Sequence, residues 1–433
     1  MPFENASSRR RKIAIIGSGI TGLGAAYTLA STHDVTLIEA EPRLGGHART
    51  IIAGKNGDQP VDTGFIVFNY ANYPNLTRIF DELSVPVTKS SMTFGASVHG
   101  GALEYGLNGA SAFFAQKKNM LNPLHLNMLR DIFRFNANAL SMVADHPDLT
   151  IDAFLAKLGM GRWFRDYYLL PLTGAIWSTP TRQVADFPAD AMVRFLKNHG
   201  LMSYDGQHQW YTVVGGSVTY VDKMATTLRR AGVSMRLGCP VEAVKRDGIG
   251  VQIKMQGVDW QDFDEVIFAT HSDISLSLLF DPSDDETRLL GAVKYQPNEV
   301  VLHADRSVMP KREAVWSSWN YIEAPAKRDG QIDLTYWMNS LQPIPKDDPH
   351  FVTLNSNREI REELIYDQVT LHHPVYDLAA LDAQKGVHAM NGARNTWFCG
   401  AWLRDGFHED GLTTGIEVAE KIQSREAVAI AAE

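Results

Sequence analysis

The sequence predicts an α/β fold whose nucleotide-binding part is built on a parallel sheet, and three observations carry this prediction. A short apolar run, KIAII at 12–16, leads directly into the glycine-rich turn GSGITG at 17–22. A helix-forming segment, LGAAYTLAS at 23–31, follows the turn. A second apolar strand, VTLI at 35–38, ends at Glu39, about 20 residues beyond the turn. This order of strand, turn, helix and strand indicates a Rossmann-like unit.

Each glycine of the first turn has a separate task in such a unit. Gly17 permits the tight turn, Gly19 lets the backbone approach a pyrophosphate, and Gly22 lets the helix pack closely on the sheet. The free amides at the start of the helix attract phosphate, and the Glu39 carboxylate can accept hydrogen bonds from ribose hydroxyls. The turn therefore predicts a dinucleotide cofactor. The expected contacts from this unit also include Ser18, Ile20 and Thr21.

A second glycine-rich turn, AEPRLGGHART at 40–50, follows Glu39 at once. A simple nicotinamide dehydrogenase does not need this turn, whereas a long, bent FAD needs a second loop for its ribityl chain and flavin. The segment resembles the RxGG(R/H)xxT motif of the superfamily of FAD-binding amine oxidases, protoporphyrinogen oxidases and phytoene desaturases. The resemblance implies non-covalent FAD and cofactor contacts from Ala40, Arg43, Gly45, Gly46 and His47.

Four later strings also look like parts of that superfamily: VDTGF at 61–65, VVGGS at 213–217, DEVIFAT at 264–270 and WFCGA at 397–401. The resemblance implies a glutathione reductase type 2 FAD-binding domain. A helix opening near Asp410 would aim its amides at the flavin, where reduction deposits negative charge. The implied cofactor contacts from these parts of the chain are Gly64, Phe65, Val241, Ala269, Gly400, Asp410 and Leu412.

Longer strings resemble one branch, the FAD-binding oxidoreductases encoded beside cyclopropane-type fatty-acyl methyltransferases. They are DTGFIVFN at 62–69, LLPLTGAIWS at 169–178, WSSWNY at 316–321 and GFHEDG at 406–411. This resemblance implies a desaturase of methyl-branched, unsaturated fatty acyl chains in furan fatty acid synthesis. Two departures bear on the substrate rather than on the flavin: Ser340 replaces an arginine of the branch, and 403–405 reads LRD where smaller residues are usual.

The cofactor segments lie in three separate blocks, which predicts a discontinuous FAD-binding domain of residues 1–90, 211–285 and 385–433. The intervening residues, 91–210 and 286–384, are expected to form an α+β substrate domain. Helical spacing of Leu126, Leu129, Ile132, Phe133 and Leu140 supports helices in the first of these stretches. Alternation of apolar residues near 299–303 supports strands in the second.

Three residues are candidate proton carriers, because each belongs to a string expected to touch the flavin. They are His47, His408 and Glu409. The alternatives are that the two histidines only bond the cofactor and that Glu409 only caps a helix. The pair His372-His373 before Pro374 is interpreted as part of a loop. The predicted reaction is hydride transfer from an acyl chain to flavin N5. An amine oxidase and a flavin-binding protein without turnover are the other two hypotheses.

The substrate side offers aromatic and basic residues with two interpretations each. The aromatic residues between Trp163 and Trp177 could line an apolar tunnel or fill the core. Phe113 and Phe114 beside Lys117 and Lys118, with Arg130 and Arg134 near Phe133, predict either a peripheral membrane contact or a solvated helix face. The expected partner, a lipid or fatty acyl substrate, is what the resemblance to the methyltransferase-linked branch implies.

The composition argues against several kinds of partner and site. A net charge of -9 argues against nucleic acid as a partner. The only cysteines, Cys239 and Cys399, are far apart, so neither a disulfide scaffold nor a metal site is predicted. So few cysteines fit a reducing compartment, and a cytoplasmic location, at the inner membrane surface, is expected. Arg9-Arg10 before an apolar run could read as a twin-arginine export signal, but the run is already accounted for by the first strand and its glycine turn.

Overall fold

A five-stranded parallel sheet forms the centre of the nucleotide-binding part in the computed structural model, which describes residues 10–202, 208–323 and 332–432. Arg9, part of the export motif considered above, lies outside these ranges. The strand order is β10 (Ser234–Arg236), β2 (Asp34–Ile38), β1 (Lys12–Ile16), β14 (Glu265–Phe268) and β20 (Thr396–Phe398), all parallel. Four of the five β1 residues are buried, as expected for a strand covered on both faces. The predicted Rossmann-like α/β fold is confirmed.

Helices and a small antiparallel sheet cover the two faces of this parallel sheet. The covering elements are α1 (Ile20–Leu29), α10 (Val218–Arg230), α11 (Ser272–Leu278), α12 (Asp284–Leu290), α14 (Leu378–Met390), α15 (His408–Ala432), β11 (Val241–Arg246), β12 (Val251–Met255) and β13 (Val258–Phe263). The helix expected to open near Asp410 begins at His408 and ends at Ala432. None of the helices in the described ranges combines the length and the apolar composition that crossing a bilayer requires.

A seven-stranded mixed sheet stands beside the nucleotide-binding part. Its order is β19 (Ile365–Val375), β15 (Lys294–His303), β18 (Phe351–Leu354), β17 (Asp333–Trp337), β16 (Trp319–Ile322), β7 (Phe94–Val98) and β8 (Leu103–Gly106). Every pair is antiparallel except β16 with β7. The interpretation of His372-His373 as a loop was wrong, because both residues lie in the edge strand β19, where Pro374 is tolerated.

Beyond the strands β7 and β8, the first stretch of the expected substrate domain is helical. Its helices are α3 (Ala110–Phe113), α4 (Pro123–Asp145), α5 (Ile151–Leu158), α6 (Arg162–Phe164), α7 (Leu170–Trp177), α8 (Thr181–Val184) and α9 (Ala189–Asn198), with a π-helical turn at Arg165–Leu169. In α4 the buried face is carried by Met128, Ile132, Phe135 and Ala139, not by the whole set that the spacing suggested. Leu126 and Leu140 are exposed, because α4 carries apolar residues on two faces.

Short elements connect the two large sheets. They are β3 (Thr50–Ala53), β4 (Gln59–Asp62), β5 (Val67–Phe68), α2 (Pro74–Glu82), β6 (Val87–Ser90), β9 (Trp210–Val213) and α13 (Met338–Leu341). The buried Asp62 carboxylate accepts hydrogen bonds from the Ser217 amide at 2.9 Å, the Thr50 hydroxyl at 2.6 Å and the Gln342 side chain at 2.9 Å. It therefore joins the β3–β4 hairpin to the start of α10 and to the residues after α13. The domain boundaries given above stay a prediction.

Candidate active site

The first glycine turn has the shape that a pyrophosphate requires. Gly17 has a φ of +100°, and an added Cβ would lie 2.8 Å from the carbonyl oxygen of Ala269. An added Cβ at Gly22 would overlap the carbonyl oxygen of Gly17, whereas one at Gly19 would meet no atom within 4 Å. No side chain caps the start of α1. The turn is thus closed toward the sheet and open at Gly19, above the free amides of α1.

Glu39 is hydrogen-bonded to the first glycine turn. One oxygen of its carboxylate accepts hydrogen bonds from the amide and the hydroxyl of Ser18, at 2.8 and 2.7 Å. The amides of Gly238 and Cys239 bond the carbonyls of Glu41 and Glu39, at 2.9 Å each. These bonds bring the segment before Val241, one of the expected cofactor contacts, to the end of β2.

The second glycine turn packs directly on the first. An added Cβ at Gly46 would lie 3.1 Å from the Cα of Gly19. Arg43 folds back over its own turn, since its guanidinium donates to the carbonyl oxygen of Gly46 at 2.9 Å and pairs with Glu41 at 2.9 Å. Arg43 therefore belongs to the frame of the two glycine turns, and Ala40 lies on the same segment, directly after Glu39.

The remaining predicted cofactor residues converge on the same place. The Phe65 amide bonds the carbonyl oxygen of His47 at 2.9 Å, and an added Cβ at Gly64 would overlap that oxygen. The Gly400 amide bonds the hydroxyl of Thr414 on α15 at 3.0 Å. Helix α15 packs on α1, so an added Cβ at Gly24 would overlap the Leu412 side chain. Ile20 and Thr21 occupy the first turn of α1 beneath these contacts.

Three imidazoles form a cluster beside the glycine turns, and we call His47, His271 and His373 the histidine cluster. The ring centroid of His47 lies 6.0 Å from that of His271 and 5.8 Å from that of His373. Burial lowers the pKa of His271 and of His373 to about 3, and it also lowers the pKa of His47, with help from the nearby Arg43 charge. The cluster is therefore neutral at physiological pH.

One nitrogen of the cluster is fully buried without a hydrogen-bond partner among the described residues. His373 accepts from the Asn298 side chain at 3.3 Å, and His271 stacks on Tyr295 with centroids 4.3 Å apart. The Nε2 atom of His47 is buried and has no hydrogen-bond partner among the described residues. A buried polar atom without a partner is uncommon in a folded protein and points to a ligand or a water.

His408 is held from two sides at the start of α15. Its ring stacks on Phe65 with centroids 3.8 Å apart, and its Nε2 lies 2.7 Å from the Tyr220 hydroxyl. Burial raises the pKa of Tyr220 well above its ordinary value and lowers the pKa of His408 to about 3. The tyrosine hydroxyl therefore keeps its proton, and the Nε2 atom of the neutral His408 ring is engaged in this hydrogen bond, with the direction set by the tautomer of the ring.

Glu409 makes the contacts of a helix cap. Its two carboxylate oxygens accept hydrogen bonds from the amides of Asn75 and Leu76 at the start of α2, at 2.8 and 3.0 Å. The N-cap residue of α2 provides no side-chain bond of its own. Glu409 thus satisfies orphan amides of a helix far from it in the sequence.

These contacts give a prediction that separates capping from proton transfer. We expect Glu409→Ala to destabilise the fold by about 1–2 kcal/mol, the usual range for a lost cap. Glu409→Gln, which keeps one acceptor oxygen, should leave the rate of substrate-dependent flavin reduction within a few-fold of wild type. Thermal melting and stopped-flow reduction measure the two effects, with Glu420→Ala on the exposed face of α15 as the control. A large loss of rate in Glu409→Gln with an unchanged melting temperature would speak for proton transfer instead.

Asp410 and Cys399 are two further ionisable groups near the start of α15. Burial raises the pKa of Asp410 to about 7, although its carboxylate accepts from the Phe407 amide at 2.9 Å. Burial also raises the pKa of the Cys399 thiol, whose sulfur contacts the Phe268 carbonyl oxygen. A buried, protonated thiol is a poor nucleophile, so Cys399 is unsuited to a covalent link with a cofactor.

The residues fit FAD. The opening at Gly19 and the uncapped start of α1 suit a pyrophosphate, and the second turn extends this cradle toward His47. The start of α15 and the unpartnered Nε2 of His47 provide polar groups beyond the phosphate end. His373 was missed by sequence reasoning, because only the pairing of β19 with β15 brings it to the cluster.

Comparisons with known proteins agree with this geometry. The family model of flavin-containing amine oxidoreductases matches residues 20–329. Curated relatives match only short segments: an L-amino-acid oxidase of Bothrops pauloensis is 44% identical over 54 residues, and one of Crotalus adamanteus is 48% identical over 46 residues. These segments cover 12% and 10% of this chain and 11% and 9% of the two relatives, about a tenth of their length.

Solved structures match nearly the whole chain. A CLA-producing fatty acid isomerase from P. acnes is 17% identical with a TM-score of 0.68, covering 95% of this chain and 98% of that one. A redesigned putrescine oxidase is 17% identical with a TM-score of 0.69, covering 96% and 99%. A reduced UDP-galactopyranose mutase is 15% identical with a TM-score of 0.68, covering 96% of both chains. At these identities the likeness establishes the fold.

Proposed function

The chain belongs to the family of flavin-containing amine oxidoreductases, and we propose that it desaturates a fatty acyl chain. It is an FAD-dependent oxidoreductase, since the family and the cradle of glycine turns agree. Desaturation removes two hydrogens from adjacent carbons, so it needs an acceptor for a hydride and an acceptor for a proton. Bound FAD supplies the two-electron acceptor. The protein must bind the acyl chain and manage the proton.

His47 is the residue proposed to take the proton. Its Nε2 is buried without a hydrogen-bond partner among the described residues, and its lowered pKa keeps the ring neutral and able to accept. The Nε2 atom of His408 is engaged with the Tyr220 hydroxyl, and both oxygens of Glu409 accept from the amides of α2. Of the three candidate proton carriers, His47 is thus the one with a buried nitrogen that no group among the described residues already bonds.

The observation that carries the acyl proposal is an aromatic pocket between α7 and α9. Trp177, Phe187, Pro188, Ala191, Met192 and Leu381 form most of its lining. Phe195 continues this surface inward, since it stacks on Phe407 with centroids 4.7 Å apart and contacts Trp177 at 4.9 Å. Phe407 precedes His408 at the start of α15. Apolar rings thus connect the pocket to the start of α15, and because the pocket has a volume of only about 20 Å³, an acyl chain must displace some of these side chains to enter.

The substrate proposed is a methyl-branched, unsaturated acyl chain, as the branch resembled by the sequence implies. An existing double bond weakens the neighbouring C–H bonds, which favours removal of a hydride. The likeness of the fold to a fatty acid isomerase is in keeping with this substrate class. A lipid or a fatty acyl group is thus the proposed small-molecule partner.

Amine oxidation is a second candidate, and Asp405 is the observation that favours it. Asp405 and Tyr376 also line the aromatic pocket, and the Asp405 carbonyl oxygen accepts from the Trp177 indole at 3.2 Å. A carboxylate beside aromatic rings suits an ammonium group. Desolvation by the surrounding protein raises the pKa of Asp405, which disfavours its charged form, but the side chain belongs to an exposed residue, so this effect is small.

Anaerobic reduction tests the two candidates against each other. The purified holoprotein is mixed under nitrogen with fractions of a cellular lipid extract and, separately, with a panel of primary and secondary amines. We expect the visible flavin band to bleach with a lipid fraction and the acyl product to be lighter by two hydrogens in mass spectrometry. Bleaching by an amine with release of an aldehyde would establish the second candidate. Bleaching by neither, in protein shown to hold FAD, would favour a flavin-binding protein without turnover.

A further inference from the structure

We infer that the surface formed by Lys117, Lys118, Met120, Leu121 and Leu124, the basic apolar tip, docks on an anionic phospholipid bilayer. The inference does not depend on the proposed reaction. It rests on exposed apolar side chains, on a local excess of positive charge, and on the way the fold holds both outward.

The apolar part of the tip faces solvent. Leu121 is 88% exposed, Met120 56% and Leu124 49%. They lie on the 3₁₀ turn Lys117–Leu121 and the first turn of α4. Large apolar side chains exposed together, beside charged ones, are typical of surfaces that meet a partner or a membrane.

The exposure is built into the fold rather than the result of a loose loop. Asn119, in the middle of the 3₁₀ turn, is buried and donates to the Gln116 side chain at 3.1 Å. Gln116 in turn donates to the Gly101 carbonyl oxygen at 3.0 Å. Asn122 caps α4 by accepting from the Leu124 amide at 3.0 Å. These bonds anchor the polar residues inward and leave Met120 and Leu121 directed to solvent.

The charge of the tip is opposite to that of the whole protein. The chain has a net charge of -9, yet residues 105–130 contain no aspartate or glutamate. Lys117 and Lys118 are exposed and make no ion pair within the described residues. A positive, acid-free surface on an acidic protein is complementary to anionic headgroups. A neutral lipid surface would provide no such electrostatic attraction.

A half-open cavity of about 300 Å³ lies beside the tip and adds interfacial residues. Its lining includes Lys118 from the tip and the aromatic rings of Trp163 and Tyr167. Arg162, next to Trp163, has a side chain that is 93% exposed. Tryptophan, tyrosine and basic residues are the groups that favour the headgroup region of a bilayer. The surface that extends from the tip thus has interfacial composition.

Part of the membrane patch expected from the sequence does not belong to this surface. Phe113 is only 6% exposed, and Arg134 pairs with Asp131 at 3.2 Å and bonds the Leu158 carbonyl oxygen. Lys117 and Lys118 of the expected patch do belong to the basic apolar tip. Its apolar part consists of Met120, Leu121 and Leu124 instead of Phe113.

Vesicle co-sedimentation tests the inference on the full-length holoprotein without any substrate. The vesicles are phosphatidylcholine alone and phosphatidylcholine mixed with phosphatidylglycerol. We expect binding to the mixed vesicles only, weakened by added salt. Lys117→Glu should weaken it about 30-fold, because an attraction of about 1 kcal/mol is replaced by a repulsion of similar size. Leu121→Ser should weaken it at least about 10-fold through lost apolar burial.

Matched variants distinguish the tip from the rest of the surface. Ile249→Ser replaces a residue that is 92% exposed on the turn between β11 and β12, and Lys245→Glu reverses a charge on β11. Both should bind vesicles like wild type, and all four variants should keep the melting temperature and FAD content of wild type. Wild-type protein that ignores anionic vesicles, or tip variants that bind like the controls, would overturn the inference. A dimer in light scattering that Leu121→Ser dissociates, without vesicle binding, would overturn it in favour of self-association.

Discussion

Gly19→Ala is expected to give a folded, stable protein that has lost most of its flavin. The backbone of Gly19 has φ −62° and ψ 180°, which alanine adopts without strain, and the added Cβ meets no protein atom within 4 Å. The space that the Cβ enters is the space that a pyrophosphate needs for its approach to the turn. Overpacking at a close contact costs about 1–3 kcal/mol, so we expect FAD to bind about 10- to 100-fold more weakly. The absorbance ratio of flavin to protein and a fluorescence titration with FAD measure the loss.

Gly22→Ala provides the contrast within the same turn. Its added Cβ would overlap the carbonyl oxygen of Gly17, so both the apo fold and FAD binding should suffer. The control is Ser31→Ala at the exposed end of the same unit, which should change neither quantity. Gly19→Ala with full FAD content would contradict the assignment of the turn, and equal melting temperatures for apo Gly19→Ala and apo Gly22→Ala would contradict the geometry.

The glycine turns were predictable because what they require is local. Gly22 and Gly46 meet backbone atoms of Gly17 and Gly19 within the predicted unit itself, and Gly17 is required by its own φ of +100°, so short spacing in the sequence was enough to assign them. The parallel sheet was predictable for a similar reason, because β1 and β2 are separated only by the turn and one helix. Local backbone constraints thus account for the correct part of the fold prediction.

The contacts that decide chemistry were not local. Glu409 reaches the Leu76 amide across 333 positions of the chain, so no sequence spacing could reveal the cap. His373 joins the histidine cluster only because β19 pairs with β15 at the edge of the second sheet. The buried face of α4 could not be predicted, because α4 carries apolar residues on two faces and their spacing does not show which face is buried. Each of these depends on tertiary packing.

His47→Asn is expected to slow substrate-dependent reduction of the flavin by about 10²- to 10⁴-fold, the usual contribution of a positioned proton acceptor. Asparagine keeps a polar side chain of moderate size but has no basic nitrogen. FAD should remain bound, because the backbone of the Gly45-Gly46 turn is unchanged. His373→Asn is the matched control, since His373 lies in the same cluster but its Nδ1 already accepts from Asn298. Anaerobic stopped-flow reduction measures the rate, and the flavin content of each variant is measured alongside. Equal slowing in both variants would assign His47 a structural part only.

The pH dependence of the wild-type rate provides a separate test of the same residue. Burial, the Arg43 charge and His372 lower the pKa of His47 below its ordinary value of 6.5, so the neutral, accepting form persists on the acid side of that value. The reduction rate should stay level as the pH falls through 6.5 and decline only when it reaches the lowered pKa. Arg43→Met removes a positive charge near the ring, which should raise the pKa and move the decline to higher pH. A decline centred at 6.5 in wild type, unmoved by Arg43→Met, would mean that the group controlling the rate is not a buried imidazole beside Arg43.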